Sequence, residues 1–280
     1  MILFNKKALR FFICFALLLH LLLSTNHAQP AVLRNFSAGY RLNERTPTGN
    51  NPYTIGPLIK DKQTYQELLF ALPYNGIIGN SSTYLSHTFY LNTEWQKKQT
   101  GSKFWRRHTI TAGLLATAKT TRNVGQLEYK RYFITPDTGY IQQTYSLTQK
   151  QQLFGLNIGL NRIFPVAKKI NIIAGLHVQT AIAAVHSYQH QQDSNVFRSA
   201  YGWDVYSTPL PDLDGTSFLQ WQLLLPIGIE YYFFKQQLGI RFETNVGYAD
   251  GPSSSLSRAD NFFAGVGAWL IYQPAQRRRR

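Results

Sequence analysis

Apolar and polar side chains alternate along residues 218–243, which read FLQWQLLLPIGIEYYFFKQQLGIRFE. Odd positions from Leu219 to Phe233 are apolar or aromatic, whereas even positions include Gln220, Gln222 and Glu230. Successive side chains of a strand point to opposite faces. The pattern therefore predicts a strand with one apolar and one polar face, and not a helix of about 20 apolar residues that spans a membrane.

The same alternation recurs along the chain and predicts eight strands. They cover residues 33–42, 84–94, 107–118, 151–162, 169–185, 218–234, 237–249 and 260–272. The fifth strand is the least regular, and a buried helix is the alternative there. The irregularity comes from apolar residues on its supposed polar face, namely Ile173, Ala181, Ala183 and Val185.

The connections between these strands alternate in length. Long links cover 43–83, 119–150 and 186–217, and short links cover 95–106, 163–168 and 235–236. A meander whose hairpin ends lie on opposite sides of a membrane has this arrangement, with short periplasmic turns and longer outer loops. The second long link carries its own hairpin signal, with a turn at the PDTG sequence of residues 136–139. Strands three and four are therefore expected to project beyond the bilayer.

Residues 1–28 have the organisation of a secretory signal peptide. The basic start MILFNKKALR precedes the apolar run FFICFALLLHLLL and a short polar stretch that ends at Ala28. Cleavage after Ala28 is expected. A retained anchor is the alternative, although the run is shorter than the roughly 20 residues of a spanning helix. Removal takes the only cysteine, Cys14, and leaves 26 basic against 14 acidic residues, a net charge of +12.

Alternation alone does not distinguish a soluble barrel with an apolar interior from a membrane barrel with an apolar exterior. The export signal favours the membrane barrel, as do the polar faces of Gly, Asn, Gln and paired charges, which suit a small filled lumen. Aromatic residues also cluster near strand ends, as in interfacial girdles. They are Trp95, Phe104, Trp105, Tyr231 to Phe234, Trp269 and Tyr272. The sequence therefore predicts an all-β fold over residues 29–272: a single eight-stranded antiparallel up-and-down transmembrane β-barrel.

The last predicted strand, FFAGVGAWLIY, carries the most specific signal. Gly267, a hydrophobic residue three positions later at Leu270 and an aromatic residue at Tyr272 fit an assembly signal, although QPAQRRRR follows. With this strand, the mature chain resembles the small outer-membrane β-barrel proteins of Gram-negative-type envelopes, including the generic outer-membrane β-barrel domain and PorT-like proteins. The resemblance implies location in the cell outer membrane. It implies as partners outer-membrane lipid, the barrel-assembly machinery and envelope or secretion proteins.

Polar residues on the predicted interior faces form the candidate site. If residues 235–236 are a two-residue hairpin loop, Glu230 lies directly across from Arg241, and Glu243 follows on the same face. Opposite charges across an antiparallel pair are stabilising, so Glu230, Arg241 and Glu243 are predicted to form a structural ion pair in the lumen. Other residues expected to face the interior are Arg41, Glu94, Lys119 and His177.

An enzyme acting on envelope lipid is an alternative function. His186, Ser187, His190 and Asp193 could seed a hydrolase site at the outer rim, since a nucleophile needs a base and an orienting acid within reach. Adjacent residues of a strand point to opposite faces, however, so His186 and Ser187 would not pair within one. HSYQHQQDS is expected to be a polar outer loop. No catalytic residue, cofactor or metal is predicted, and a soluble periplasmic ligand-binding barrel is a further alternative.

Basic residues gather at the end of the barrel that carries the short turns. Residues 273–280 end in Arg277–Arg280 and are expected to form a basic tail near the inner leaflet, with no nucleic acid as partner. The turn sequences KKQTGSKFWRR and FPVAKK would give this rim a positive charge, suited to anionic headgroups or cell-wall polymer. The overall prediction is an outer-membrane barrel with a structural, interaction or envelope-assembly role.

Overall fold

The computed structural model describes residues 31–45, 59–71, 76–78, 84–97, 107–133, 139–198, 202–234, 237–250 and 262–274. Within them the chain forms twelve strands and one helix. The strands are β1 (Ala31–Arg45), β2 (Gly76–Ile78), β3 (Tyr84–Lys97), β4 (His108–Thr117), β5 (Thr120–Phe133), β6 (Gly139–Ala167), β7 (Ile170–Arg198), β8 (Gly202–Pro209), β9 (Leu213–Asp214), β10 (Leu219–Phe233), β11 (Leu238–Asp250) and β12 (Phe262–Tyr272). The helix is α1 (Lys62–Ala71).

Eight of the strands close into a ring. The order is β1–β3–β4–β6–β7–β10–β11–β12, every pair is antiparallel, and β12 returns to β1 through a register that runs from Phe36 opposite Tyr272 to Arg45 opposite Phe263. These eight strands correspond to the eight predicted segments, so the all-β antiparallel fold is confirmed. The alternative of a helix in the fifth segment is wrong, because residues 170–182 pair with both β6 and β10.

Polarity across the ring follows the alternation of the sequence. Large apolar side chains point outward and are exposed on every strand of the ring, with Leu91 at 64% and Ile227 at 56%. One example from each strand is Phe36, Leu91, Leu114, Leu156, Leu176, Ile227, Phe242 and Val266. Buried polar residues fill the interior, among them Glu94, Asn157 and Glu230. The ring therefore has an apolar exterior and a polar interior.

Two of the ring strands, β6 and β7, continue well past the others. Residues 139–151 of β6 pair with β5 and with residues 186–198 of β7, which in turn pair with β8 and β9. We call this assembly the projecting sheet. The predicted β5–β6 hairpin is observed, although its turn lies outside the described residues. The prediction of a loop at 186–217 is wrong, because backbone pairing to β6 and β8 extends β7 to Arg198.

The segment before helix α1 pairs with the chain at the end of β9. Ile59 forms a bridge with Gly215, and the amide of Lys60 donates to the carbonyl of Asp214 at 2.9 Å. Ile59 and Tyr65 are almost completely buried. The long first link, predicted only as a connection, thus contributes a helix and two buried side chains.

A bulge marks the junction between the ring and the projecting sheet. Gln152 pairs with Val185, and Leu153 pairs with Ala183, which leaves Ala184 as an extra residue on β7. The insertion shifts the alternation by one residue. Ala183 therefore points inward on one side of the bulge and His186 points inward on the other, while Val185 is exposed.

Several predicted orientations are wrong. Lys119 was expected in the interior, but it lies exposed between β4 and β5, where the chain leaves the ring. Tyr232 and Trp269 were assigned to an outer girdle, yet both are buried, because they share the inward parity of Glu230 and Gly267. Other girdle residues do point outward, namely Trp95, Tyr231, Phe234 and Tyr272. Phe104 and Trp105 lie outside the described residues.

No helix among the described residues is long and apolar enough to cross a membrane. The predicted leader (1–28) and the predicted basic run Arg277–Arg280 lie outside the described part, as do residues 235–236. The flanks of that turn do meet. Phe233 pairs with Leu238, and the amide of Gln237 donates to the carbonyl of Phe234 at 3.0 Å.

Candidate functional site

Four charged side chains meet inside the ring in a closed cycle of alternating sign, which we call the charge quartet. Arg34 binds Glu94 at 3.1 Å and Glu230 at 3.0 Å. Arg241 binds the same two carboxylates, Glu94 at 2.5 Å and Glu230 at 2.6 Å. The four residues come from β1, β3, β10 and β11, so the cycle crosses the interior between strands that are not neighbours.

The registers of the strands explain two members of the quartet. Glu230 lies directly opposite Arg241 on β10 and β11, in the register derived from the two-residue loop. The structural role of this pair stays a prediction, and Glu243 is bound by another arginine, Arg41.

Arg34 points into the quartet because of a β-bulge that no pattern in the sequence predicts. The register between β1 and β3 shifts between Leu33 and Asn35. A bulge leaves one residue unpaired and re-aims its side chain, and both Arg34 and Asn35 are buried as a result. Strict alternation would have sent Arg34 outward. The sequence signal for this inward orientation is weak: a charged residue at a position where the alternation of β1 calls for an apolar one.

Neighbouring polar groups complete the shell around the quartet. The amide of Asn171 donates to Glu230 at 3.2 Å, and the hydroxyl of Tyr232 donates to the same carboxylate at 3.1 Å. The amide of Asn35 donates to Glu94 at 3.2 Å. Among the described residues, both carboxylates of the quartet are therefore paired with two arginines and with at least one further donor.

Arg41 forms a second charged centre deeper in the ring. Its guanidinium binds Glu243 and donates to the hydroxyl of Tyr90 at 3.1 Å. It also lies over the neighbouring rings of Tyr90 and Trp269, with centroids 4.9 and 5.7 Å away. Such cation–π contacts favour a desolvated arginine. The inward position of Trp269 thus has a clear role, and the glycine beneath it, Gly39, leaves room for the indole.

Amide side chains extend this network across the ring. The hydroxyl of Tyr90 donates to Gln179, the amide of Gln179 donates to Asn157, and Asn157 donates to Asn92, at 3.2 to 3.3 Å. The predicted interior residue His177 is buried, and its Nε2 lies 2.8 Å from Asn161 Oδ1. At the end of the ring next to the projecting sheet, a buried cluster contains Leu115, Leu153, Ala181, Ala183 and Phe218. In the described part, buried polar and apolar side chains line the interior.

The structure does not bring His186 and Ser187 together as a catalytic pair. His186 points into the interior, where its Nε2 accepts from the amide of Gln149 at 2.7 Å and its Nδ1 donates to the carbonyl of Thr216 at 2.8 Å. Ser187 lies on the opposite face of β7, across from Lys150. A base needs its nucleophile within hydrogen-bond reach, and this geometry does not provide it.

His190 and Asp193 are also separated. The hydroxyl of Tyr145 donates to Nδ1 of His190 at 2.8 Å, and Nε2 donates to the carbonyl of Pro211. Burial lowers the pKa of His190, which favours the neutral ring that these two bonds require. Asp193 lies on the opposite face, where Gln191 and Ser207 donate to it. The described residues contain no group of three or more His, Cys, Asp or Glu side chains that could hold a metal ion.

No family model matches the chain, and no curated protein does. Solved structures with some likeness include Ail, the attachment invasion locus protein of Yersinia pestis, in complex with a heparin analogue, with 10% identity over 86% of this chain and 97% of that chain and a TM-score of 0.29. The toluene transporters TbuX of Ralstonia pickettii and TodX of Pseudomonas putida show 12% and 8% identity over 86% of this chain and 89% of each of theirs, with TM-scores of 0.20 and 0.19. Likenesses this weak carry no argument about fold or role, and the resemblance to PorT-like proteins stays a prediction.

Proposed function

We propose that the chain is an integral outer-membrane β-barrel protein, with the eight-stranded ring as its membrane-spanning part. The observation that carries the proposal is the inverted polarity of the ring. Leu91 and Ile227 are more than half exposed on the outside, whereas Glu94, Glu230 and Arg241 are buried within. In water, exposing an apolar band on every strand would be costly, and in a bilayer the same band is the favoured surface.

A soluble periplasmic barrel, the alternative with an apolar interior, fits this arrangement poorly. Its ligand cavity would need an apolar lining, but charged and amide side chains occupy the interior of the ring. A small lumen filled by side chains also does not suit a wide diffusion pore. We therefore propose that the function lies in the projecting sheet or in an assembly partnership, and not in passage through the ring.

The last strand fits a role in assembly into the outer membrane. Leu270 and Tyr272 are exposed on the outward face of β12, while Gly267 lies on the inward side between Arg41 and Glu243. This face would be accessible to the barrel-assembly machinery and to outer-membrane lipid. Export through residues 1–28 stays a prediction.

Membrane extraction tests the proposal directly. We expect the protein to remain in the membrane fraction after alkaline carbonate washing, and to show heat-modifiable gel migration once purified in detergent. Release by carbonate alone would contradict a membrane-spanning ring.

A pair of substitutions sharpens the test. Ile227→Arg places a charge in the middle of the apolar band, and we expect it to destabilise the protein folded in lipid by about 2–4 kcal/mol. Val205→Arg is the matched control, because Val205 is equally apolar and 71% exposed, but it lies on the projecting sheet. Equal, small effects of both substitutions would show that the band is not in contact with lipid.

A further inference from the structure

Three aromatic rings form one row across the outer face of the projecting sheet. Tyr140, Phe197 and Trp203 are direct cross-strand partners on β6, β7 and β8. The centroid of Trp203 lies 5.1 Å from that of Tyr140 and 5.2 Å from that of Phe197. Trp203 is nevertheless 51% exposed. The indole of Trp203 is therefore exposed to solvent and packed against the two neighbouring rings.

Hydrogen-bonding side chains, together with Val205, occupy the next two rows of the same face. Gln142, Asn195 and Val205 form the row beside the aromatic one, and Thr144, Asp193 and Ser207 form the row after that.

Asp193 is held in a fixed orientation within its row. Gln191 Nε2 and Ser207 Oγ donate to Asp193 Oδ1 at 2.8 and 2.7 Å, and Gln191 Nε2 also lies 2.7 Å from Ser207 Oγ. Both donors end on the same oxygen, so among the described residues Oδ2 has no donor of its own and is available to a ligand.

The charge of this face differs from that of the chain. The whole chain carries a net charge of +15. Among the described side chains on the outer face of β6, β7 and β8 in the projecting sheet, the formal charges are Lys150 and Asp193, which cancel. Lys150 lies 3.7 Å from Asp212. A polyanion would gain little electrostatic attraction from a surface without net charge. A neutral ligand with many hydroxyl groups would match the uncharged polar side chains of this face.

We propose that this face binds a neutral oligosaccharide. The C–H groups of a sugar ring carry partial positive charge and pack on the negative face of an aromatic ring, here Trp203. Amides donate and accept, and a carboxylate accepts, so Gln142, Asn195 and Asp193 suit a row of hydroxyls. A strand rises roughly 3.3 Å per residue, which separates the aromatic and the aspartate rows by about 13 Å. That span suits a short oligosaccharide and exceeds a single sugar.

The position of the aromatic row argues against an interfacial girdle. Along β6, the outward face is apolar from Phe154 to Leu160 and polar from Gln142 to Gln152. Tyr140 lies 14 residues beyond Phe154, which is about 45 Å along the strand. The face is exposed whether or not the ring lies in a membrane. Its accessibility from outside the cell, however, rests on the proposed membrane location.

Binding of neutral trisaccharides to the full-length protein in detergent tests the proposal. Maltotriose, cellotriose, mannotriose and chitotriose would be titrated, with saturation-transfer difference NMR and calorimetry as readouts. Trp203→Ala should weaken the tightest of them by about tenfold or more, and Trp203→Phe by less. Tyr206→Ala is the matched control, because Tyr206 is 56% exposed on the opposite face of the same strand. It should leave the affinity unchanged.

Asp193→Asn tests the polar end of the site independently of the aromatic row, and we expect about a tenfold loss of affinity. Absence of binding to all four trisaccharides overturns the proposal, as does equal weakening by Trp203→Ala and Tyr206→Ala. Tighter, salt-dependent binding of a sulfated trisaccharide would also overturn it. Carbonate extraction reads out the membrane location separately, so the two proposals fail independently.

Discussion

The ring and the projecting sheet share β6 and β7, yet the outer face of β6 is apolar in the ring and polar in the projecting sheet. In the ring, Leu156 points outward and Asn157 points inward. In the projecting sheet, Ser146 points outward and Leu147 is completely buried on the inner side. The outer face therefore changes from apolar to polar along continuous strands, whereas the inner side of the projecting sheet mixes Leu147 with buried polar residues such as Gln149 and His190.

We attribute the difference in outer-face polarity to the proposed surroundings of the two regions, lipid around the ring and water around the projecting sheet. A strand pair in water buries its apolar face and exposes its polar one, whereas a pair in lipid must do the reverse. The change in polarity coincides with the bulge at Ala184. This coincidence suggests that the bulge lies close to the membrane surface in the proposed arrangement.

Deletion of Ala184 should have the largest effect on this comparison. Without the extra residue, a continuous register would turn His186, Tyr188 and His190 to the outer face and remove them from the inner core. We expect the projecting sheet to lose its fold, seen as rapid proteolysis within residues 139–214. The ring should keep its heat-modifiable migration.

Ala184→Ser is the matched control, because it keeps the chain length and alters an exposed side chain. It should change stability by no more than about 0.5 kcal/mol. If the deletion variant resists protease as well as the unaltered protein, the bulge does not set the orientation of the projecting sheet.

The buried charge pairs of the ring and an exposed pair beside the projecting sheet should differ in their contribution to stability. Arg241→Ala leaves Glu94 and Glu230 buried with a single arginine between them, and we expect a loss of about 3–5 kcal/mol in denaturant unfolding. Lys60→Ala removes the exposed pair of Lys60 and Asp214, 3.4 Å apart, beside the projecting sheet. Its cost should stay below about 1 kcal/mol. Similar costs at both sites would mean that the quartet is hydrated in solution.

Alternation was sufficient to predict the ring and the two faces of its strands. The register of Glu230 with Arg241 also followed from the sequence, because a two-residue loop leaves one antiparallel alignment. The same reasoning missed Arg34, since a bulge changes parity without a residue type that reveals it.

The projecting sheet was underestimated for a different reason. Its outer face is polar in the manner of a loop, and its inner face uses histidine and tyrosine, such as Tyr188 and His190, where strands usually show aliphatic residues. Pairing to strands distant in sequence then decides the structure. The predicted outward orientation of Trp269 was wrong. Aromatic residues near strand ends are typical of a girdle, but Gly39 leaves space inside the ring that the indole occupies.

Two glycines should respond differently to the same substitution. A Cβ on Gly39 would lie 2.0 Å from the Trp269 ring, so Gly39→Ala must displace the indole from Arg41, and we expect a loss of about 1–3 kcal/mol. Gly202, at the start of β8, has open space but a φ of 82°. Gly202→Ala should therefore cost about 1 kcal/mol through backbone strain alone.

A second substitution separates these two causes. Trp269→Leu should restore part of the stability of Gly39→Ala and none of that of Gly202→Ala. Thermal unfolding monitored by heat-modifiable migration would measure the ring, and proteolysis near residue 202 would measure the sheet. Lack of any rescue at Gly39 would mean that the indole is not the obstacle.

Acidification should produce the smallest effect, and only in the projecting sheet. Burial lowers the pKa of His190, whose neutral ring accepts from Tyr145 and donates to Pro211. The unfolded chain then binds a proton more readily than the folded one, so the stability from His190 is complete above its ordinary pKa of 6.5. It is lost as pH falls below that value, through the lowered pKa of the folded state. Nearby Asp212 partly offsets the shift.

Limited proteolysis between pH 7.5 and 5 would measure this dependence. We expect cleavage within the projecting sheet to increase a few-fold as pH falls, while the migration of the ring stays constant. His190→Gln should flatten the profile, because glutamine offers an acceptor and a donor but does not titrate in this range. An unchanged profile in His190→Gln would assign the pH dependence to another group.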